Sequence, residues 1–103
     1  MNIQQMMKQA QAMQKKMQDV QKSLENIEVS GAAGGGAVTI TTTAKGEVKK
    51  IKIDKDLLSP DEVEMLEDLI VAAFNNAKQN AENITNEEMN KMGISPDLLK
   101  GMM

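Results

Sequence analysis

An α+β fold is predicted for this 103-residue chain by three features of its sequence. Residues 3–27 carry apolar side chains on a seven-residue repeat, residues 38–53 alternate apolar with polar around a Lys-Gly pair, and residues 59–84 join a helix-start signal to a broad apolar stripe. The expected order is a long helix, a three-stranded antiparallel sheet, a second long helix and a short C-terminal helix. Residues 1–84 form the domain and residues 85–103 a short helical tail.

In the first helix, Ile3, Ala10, Met17 and Leu24 repeat at one site, with Met6, Met13, Val20 and Ile27 three residues later. Such a stripe is a narrow coiled-coil seam. A helix of about 25 residues is a rod of roughly 37 Å, longer than a body this small covers along its length, so part of it projects or meets a partner. Ile3, Met6, Met13, Met17, Val20 and Leu24 are therefore read as a seam that seals the chain's own core, a second copy, or both.

Ile27 and Val29 alternate with Glu28 and Ser30 as a short strand before the glycine-rich turn "SGAAGGG". In "AVTITTTAKGEVKKIKID" a two-residue Lys45-Gly46 turn pairs Ala44 with Glu47, Thr42 with Lys49, Ile40 with Ile51 and Val38 with Ile53 on one face. The other face sets Thr43 beside Val48, Thr41 beside Lys50 and Thr39 beside Lys52. One face is apolar and the other threonine and lysine, as a sheet covered on one side requires.

Ser59 as N-cap, Pro60 at the first helical position and Glu62 three residues past the cap open the second helix. Val63, Leu66, Leu69, Ile70, Ala73, Phe74, Ala77, Ala81 and Ile84 give it a wide face for packing on the sheet. Thr85 and Glu88 repeat the start signal and begin the short helix, which ends near Gly93.

Composition narrows the function. Phe74 is the only aromatic residue and ten methionines fill much of the apolar fraction, so the interior is small and adaptable. Without histidine, cysteine or tyrosine, general acid–base work falls to carboxylates and lysine, and an enzyme is not expected. Gly31 to Gly36 has the glycine frame of a phosphate loop, but Ala37 and Val38 stand where its lysine and hydroxyl residue belong. Asp54, Asp56, Asp61 and Glu64 lack calcium-loop spacing, since Leu58 and Ser59 interrupt it. No metal, cofactor or small-molecule substrate is expected. Nor is a membrane partner, because no apolar run approaches a membrane span. The expected location is the cytoplasm.

The formal net charge is −3, unevenly spread. Residues 1–26 are net +2, residues 27–58 net +1, and residues 59–83 net −5. Lys8, Lys15 and Lys22 take the heptad position farthest from the seam, at intervals of about 10.5 Å. Such a stripe is a solvated outer face, the basic side of a surface helix, or a phosphate-contacting surface, with Lys16 beside it and the Lys49, Lys50, Lys52 strand to extend it.

Three stretches, "MMKQAQAMQKKMQ" at Met6–Gln18, "AKGEVKKIKID" at Ala44–Asp54 and "EMLEDLIVAAFNNA" at Glu64–Ala77, together resemble the YbaB/EbfC family of bacterial nucleoid-associated proteins. The resemblance implies a tight, intertwined homodimer whose long helices project as arms and hold DNA. It places Lys8, Lys15, Lys16 and Lys22 on the first arm and Lys49, Lys50 and Lys52 in the strand motif. Arginine is absent, and "NNAKQNAENITNEEMN" is nearly neutral and then acidic where relatives are often basic. The expectation is a homodimer contacting duplex phosphates through lysines, largely without sequence preference. The alternative is a homodimeric helical adaptor with weak or no DNA binding.

Overall fold

The computed structural model describes residues 2–93. Asn2 starts the first helix, its Oδ1 accepting a hydrogen bond from the Gln5 amide at 2.9 Å, as an N-cap does. Helix α1 (Ile3–Asn26) leads into strand β1 (Glu28–Ala33), then β2 (Val38–Thr43) and β3 (Val48–Ile53), and helix α2 (Val63–Lys91) closes the fold. The strands form one antiparallel sheet in the order β1-β2-β3.

β1 is longer than the alternation at Ile27–Ser30 predicts, because it continues through Gly31 to Ala33. Gly31 is paired with Ile40 inside the ladder, and the turn is made by Gly34, Gly35 and Gly36, all at positive φ. That turn runs directly into β2 rather than a helix, so the glycine frame builds a hairpin and no helix terminus for a phosphate.

The β2–β3 register matches the expected pairs from Val38–Ile53 through Thr41–Lys50 and then departs from them. Thr42 pairs with Val48, so Lys49 is an extra residue in a bulge, and the expected Thr42–Lys49 and Thr43–Val48 pairs do not form. The cause lies in the turn. The Gly46 amide donates to the Thr43 carbonyl at 2.9 Å and the Thr43 amide to the Glu47 carbonyl at 2.8 Å, with Gly46 at φ 98°. This is a three-residue loop ending in a left-handed glycine, where a two-residue turn was predicted.

Two further expectations are corrected. Ser59 makes no side-chain cap bond, and Pro60–Glu62 form a 3-10 turn before α2 begins at Val63. The second start signal does not break the chain, because α2 runs unbroken through Thr85 to Lys91. Thr85 lies on the helix instead, its Oγ1 2.9 Å from the Ala81 carbonyl and 3.3 Å from that of Ala44. Its hydroxyl tethers α2 to the end of β2. The separate helix predicted from residue 85 is thus the last turns of α2, and the "SPDLLKGMM" start signal lies outside the described residues.

The core has two clusters along a molecule of 69 × 20 × 18 Å. Under the first half of α2, Val38, Ile40, Leu57, Ala73 and Ala77 are buried, with Leu66, Leu69 and Ile70 packed against them. Under its second half, Met17, Val20 and Leu24 of α1 bury themselves with Ala44 and Met89. Small residues at Ala73, Ala77 and Ala81 let α2 lie close on the sheet.

Candidate nucleic-acid interface

The seam of α1 divides in two. Met17, Val20 and Leu24 are buried in the chain's own core, whereas Ile3, Met6 and Met13 are exposed, Ile3 to 75%. Met89 and the partly buried Met92, near the end of α2, cover only the second half. The first half of α1 therefore stands clear of the body as an arm, as its length demands.

Lys8, Lys15, Lys16 and Lys22 are exposed along α1, Lys8 on the projecting half and Lys15, Lys16 and Lys22 on the outer side of the packed half. Among the described residues none of the four lies within ion-pair distance of a carboxylate. Every seventh residue returns to nearly the same side of a helix, so Lys8, Lys15 and Lys22 line one side, away from the seam that Met17, Val20 and Leu24 anchor. The first turn holds no acidic residue. Glu25, near the helix end, is engaged by Lys45 at 3.2 Å, which ties the hairpin loop to α1.

The strand lysines split. Lys50 and Lys52 pair with Thr41 and Thr39 on the sheet face turned away from α2, where the Ser30 and Thr41 hydroxyls meet at 3.1 Å. Their neighbours are hydroxyl donors, a surface suited to phosphate oxygens. Lys49 sits at the bulge, 3.5 Å from Glu47, and does not share the regular alternation of the other two. The structure thus gathers the cations in two groups, one on the arm and one on the sheet. The acids Glu64, Glu67 and Asp68 lie exposed on the first half of α2, over the sheet body and at the far end from the arm tip.

A second surface was not foreseen. Val63 and Phe74, expected on the packed face of α2, are 48% and 39% exposed, as are Val71 of α2 and Val48 and Ile51 of β3 to similar degrees. The placement of α2 explains this. Asn76 donates its Nδ2 to the Ala32 carbonyl at 2.8 Å and Asn80 to the Ser30 carbonyl at 2.7 Å, drawing α2 toward β1. At 100° per residue, Phe74 and Val63 fall on the opposite flank of α2, toward β3. The asparagines close the β1 edge, and the apolar face of β3 is left beyond the helix. Only the position of "NNAKQN", one turn apart and beside the alanine stripe, could have signalled those two clamps.

Among the described residues no helix is long and apolar enough to cross a membrane.

Residues 1–95 match the model of the YbaB/EbfC DNA-binding family. A nucleoid-associated protein of Rhodospirillum centenum is 53% identical over 91 residues, covering 88% of this chain and 85% of the relative. One from Rickettsia felis is 50% identical over 100 residues, covering 93% of this chain and 94% of the relative. The fold is similar to the crystal structure of an uncharacterized protein from Helicobacter pylori, with a TM-score of 0.78 at 22% identity over 89% of this chain and 98% of that one.

Proposed function

The chain belongs to the YbaB/EbfC DNA-binding family, and we propose that it serves that family's role as a homodimer whose α1 arms hold duplex DNA by its phosphates. It is a nucleoid-associated DNA-binding protein and not an enzyme. Its place of action is the bacterial nucleoid, and so the cytoplasm.

The observation that carries the mode of contact is the arm itself. Lys8, Lys15 and Lys22 recur every two turns on one exposed side, none of them ion-paired among the described residues, with Lys16 flanking them and a single acid, Asp19, between Lys15 and Lys22. Lysine is a compact point charge that lacks the planar fork with which arginine reads guanine, so the contacts fall on phosphates and are largely indifferent to sequence. Lys50 and Lys52, with the Ser30, Thr39 and Thr41 hydroxyls, add a second patch on the sheet. Lys49 contributes less, since Glu47 competes for it. Glu64, Glu67 and Asp68 of α2 are kept at the other end, where they do not repel the duplex, while Glu82, Glu87 and Glu88 lie in the half of α2 nearer α1.

The protomers join through the apolar surface shared by α2 and β3: Val63, Val71 and Phe74 with Val48 and Ile51. An edge strand carrying lysines and a bulge is a poor template for strand pairing, so the partner covers the face rather than extending the sheet. Removing this surface from water relieves a core that is small for the chain's length.

Fluorescence anisotropy with duplex DNA over a salt series tests the mode of contact. Three stripe lysines from each protomer neutralise about six phosphates, so the logarithm of affinity should fall against the logarithm of salt with a slope near −5 on every duplex. A flat response, or a strong preference for one sequence at equal length, would sink it.

A further inference from the structure

The exposed half of the α1 seam has no role in phosphate contact, and the surface between α2 and β3 leaves it uncovered. Ile3, Met6 and Met13 project there with Ala10 between them, continuing the heptad that Met17, Val20 and Leu24 bury in the core. Met7, exposed to 57%, widens the strip. A water-facing strip of large apolar side chains, continuous with a packed helix–helix contact, is a binding surface.

We propose that this strip pairs with the same strip of a second dimer, so that dimers join arm to arm and one assembly bridges two DNA segments. The inference rests on the dimeric, DNA-holding reading above. A second copy is the occupant that the pattern fits. In an antiparallel pair with its two-fold axis beside Lys8, Ile3 of one arm lies opposite Met13 of the other and Met6 opposite Ala10, so every apolar position meets an apolar position. The contact is isologous and closes on itself. The flanks over this span are Met7, Gln9 and Gln14, which carry no charge to repel a copy or select a different partner. Lys8 and Lys15 stay on the outer side of both arms, so pairing and phosphate contact do not compete. Methionine tolerates imperfect fit between the facing surfaces. A contact of about three turns is weak alone, and it gains strength when DNA holds several dimers side by side.

The test compares the wild-type chain with the Ile3→Gln, Met6→Gln, Met13→Gln triple variant. All three positions are exposed and glutamine is a good helix former, so the fold and the lysines are untouched. Sedimentation equilibrium from low to high micromolar should show the wild type rising above dimer mass and the variant remaining a dimer. Both should bind one duplex equally in anisotropy. In a bridging assay, with one duplex on beads and a labelled duplex in solution, the variant should retain the label about tenfold less, since the multivalent link is gone. A wild type that stays dimeric throughout overturns the proposal and leaves the strip to a partner of other chemistry. So does a variant that associates like the wild type. A monomeric variant would make the strip the primary dimer contact, overturning both arm pairing and the α2–β3 placement. If neither protein binds a duplex yet association still depends on the three residues, arm pairing stands and the DNA-holding mode falls.

Discussion

Gly31 has no room for a side chain. A Cβ there would overlap the Ala77 amide nitrogen and the Ala73 carbonyl oxygen, both backbone atoms of α2. No rotamer change relieves such a clash, so the helix itself must lift off the sheet. Gly31→Ala is expected to cost about 3 kcal/mol, the upper end for overpacking, and to lower the melting temperature by more than about 10 °C in circular dichroism at fixed protein concentration. Gly35→Ala is the comparison. Its neighbourhood is open and only the left-handed backbone, φ +68°, resists a side chain, so the cost should be about 1 kcal/mol. Equal losses at the two positions would mean that α2 does not lie as close to β1 as the structure has it. From the sequence both residues read simply as parts of a glycine-rich turn. A close approach between two backbones leaves no local signature, because the atom that forbids the Cβ belongs to a residue more than forty positions away.

At the scale of elements, what repeats locally was legible and what depends on a neighbour was not. The α1 heptad, the alternation of β2 and the apolar stripe of α2 carry their own period, and each element lies where that period places it. The Lys49 bulge was hidden because a three-residue loop and a two-residue turn both place a Lys-Gly pair at the bend. The unbroken α2 was hidden because the Thr85 start signal is overridden by the carbonyls of Ala44 and Ala81. The α1 lysines were visible as a stripe, and that none of them is ion-paired among the described residues followed only from the structure. That unpaired stripe supports a prediction for α1 as an element. Lys8→Gln, Lys15→Gln and Lys22→Gln together should weaken binding to every duplex alike and flatten most of the salt slope, with dimer mass unchanged in light scattering. Glutamine keeps helix propensity, so the loss reads charge alone. Affinity that persists while the dimer dissociates would show that the stripe and the seam have been assigned to the wrong sides of α1.

For the whole molecule, net charge is a poor guide, because −3 is the sum of a basic arm and an acidic body separated along a 69 Å axis. The proposed dimer would give that separation its effect, bringing two arms to one duplex while Glu64, Glu67 and Asp68 of each protomer stay over its own sheet. Phe74→Glu tests this directly. The ring is 39% exposed in the protomer, so the fold tolerates its replacement, but a carboxylate there would have to be desolvated against the partner's apolar surface. The expected result is a chain of monomer mass in light scattering with undiminished helical circular dichroism. Its salt slope should fall from near −5 to roughly −2.7, because one arm neutralises half as many phosphates. A variant that remains a dimer with the full slope places the protomer contact elsewhere, and the exposed half of the α1 seam is then the first surface to mutate.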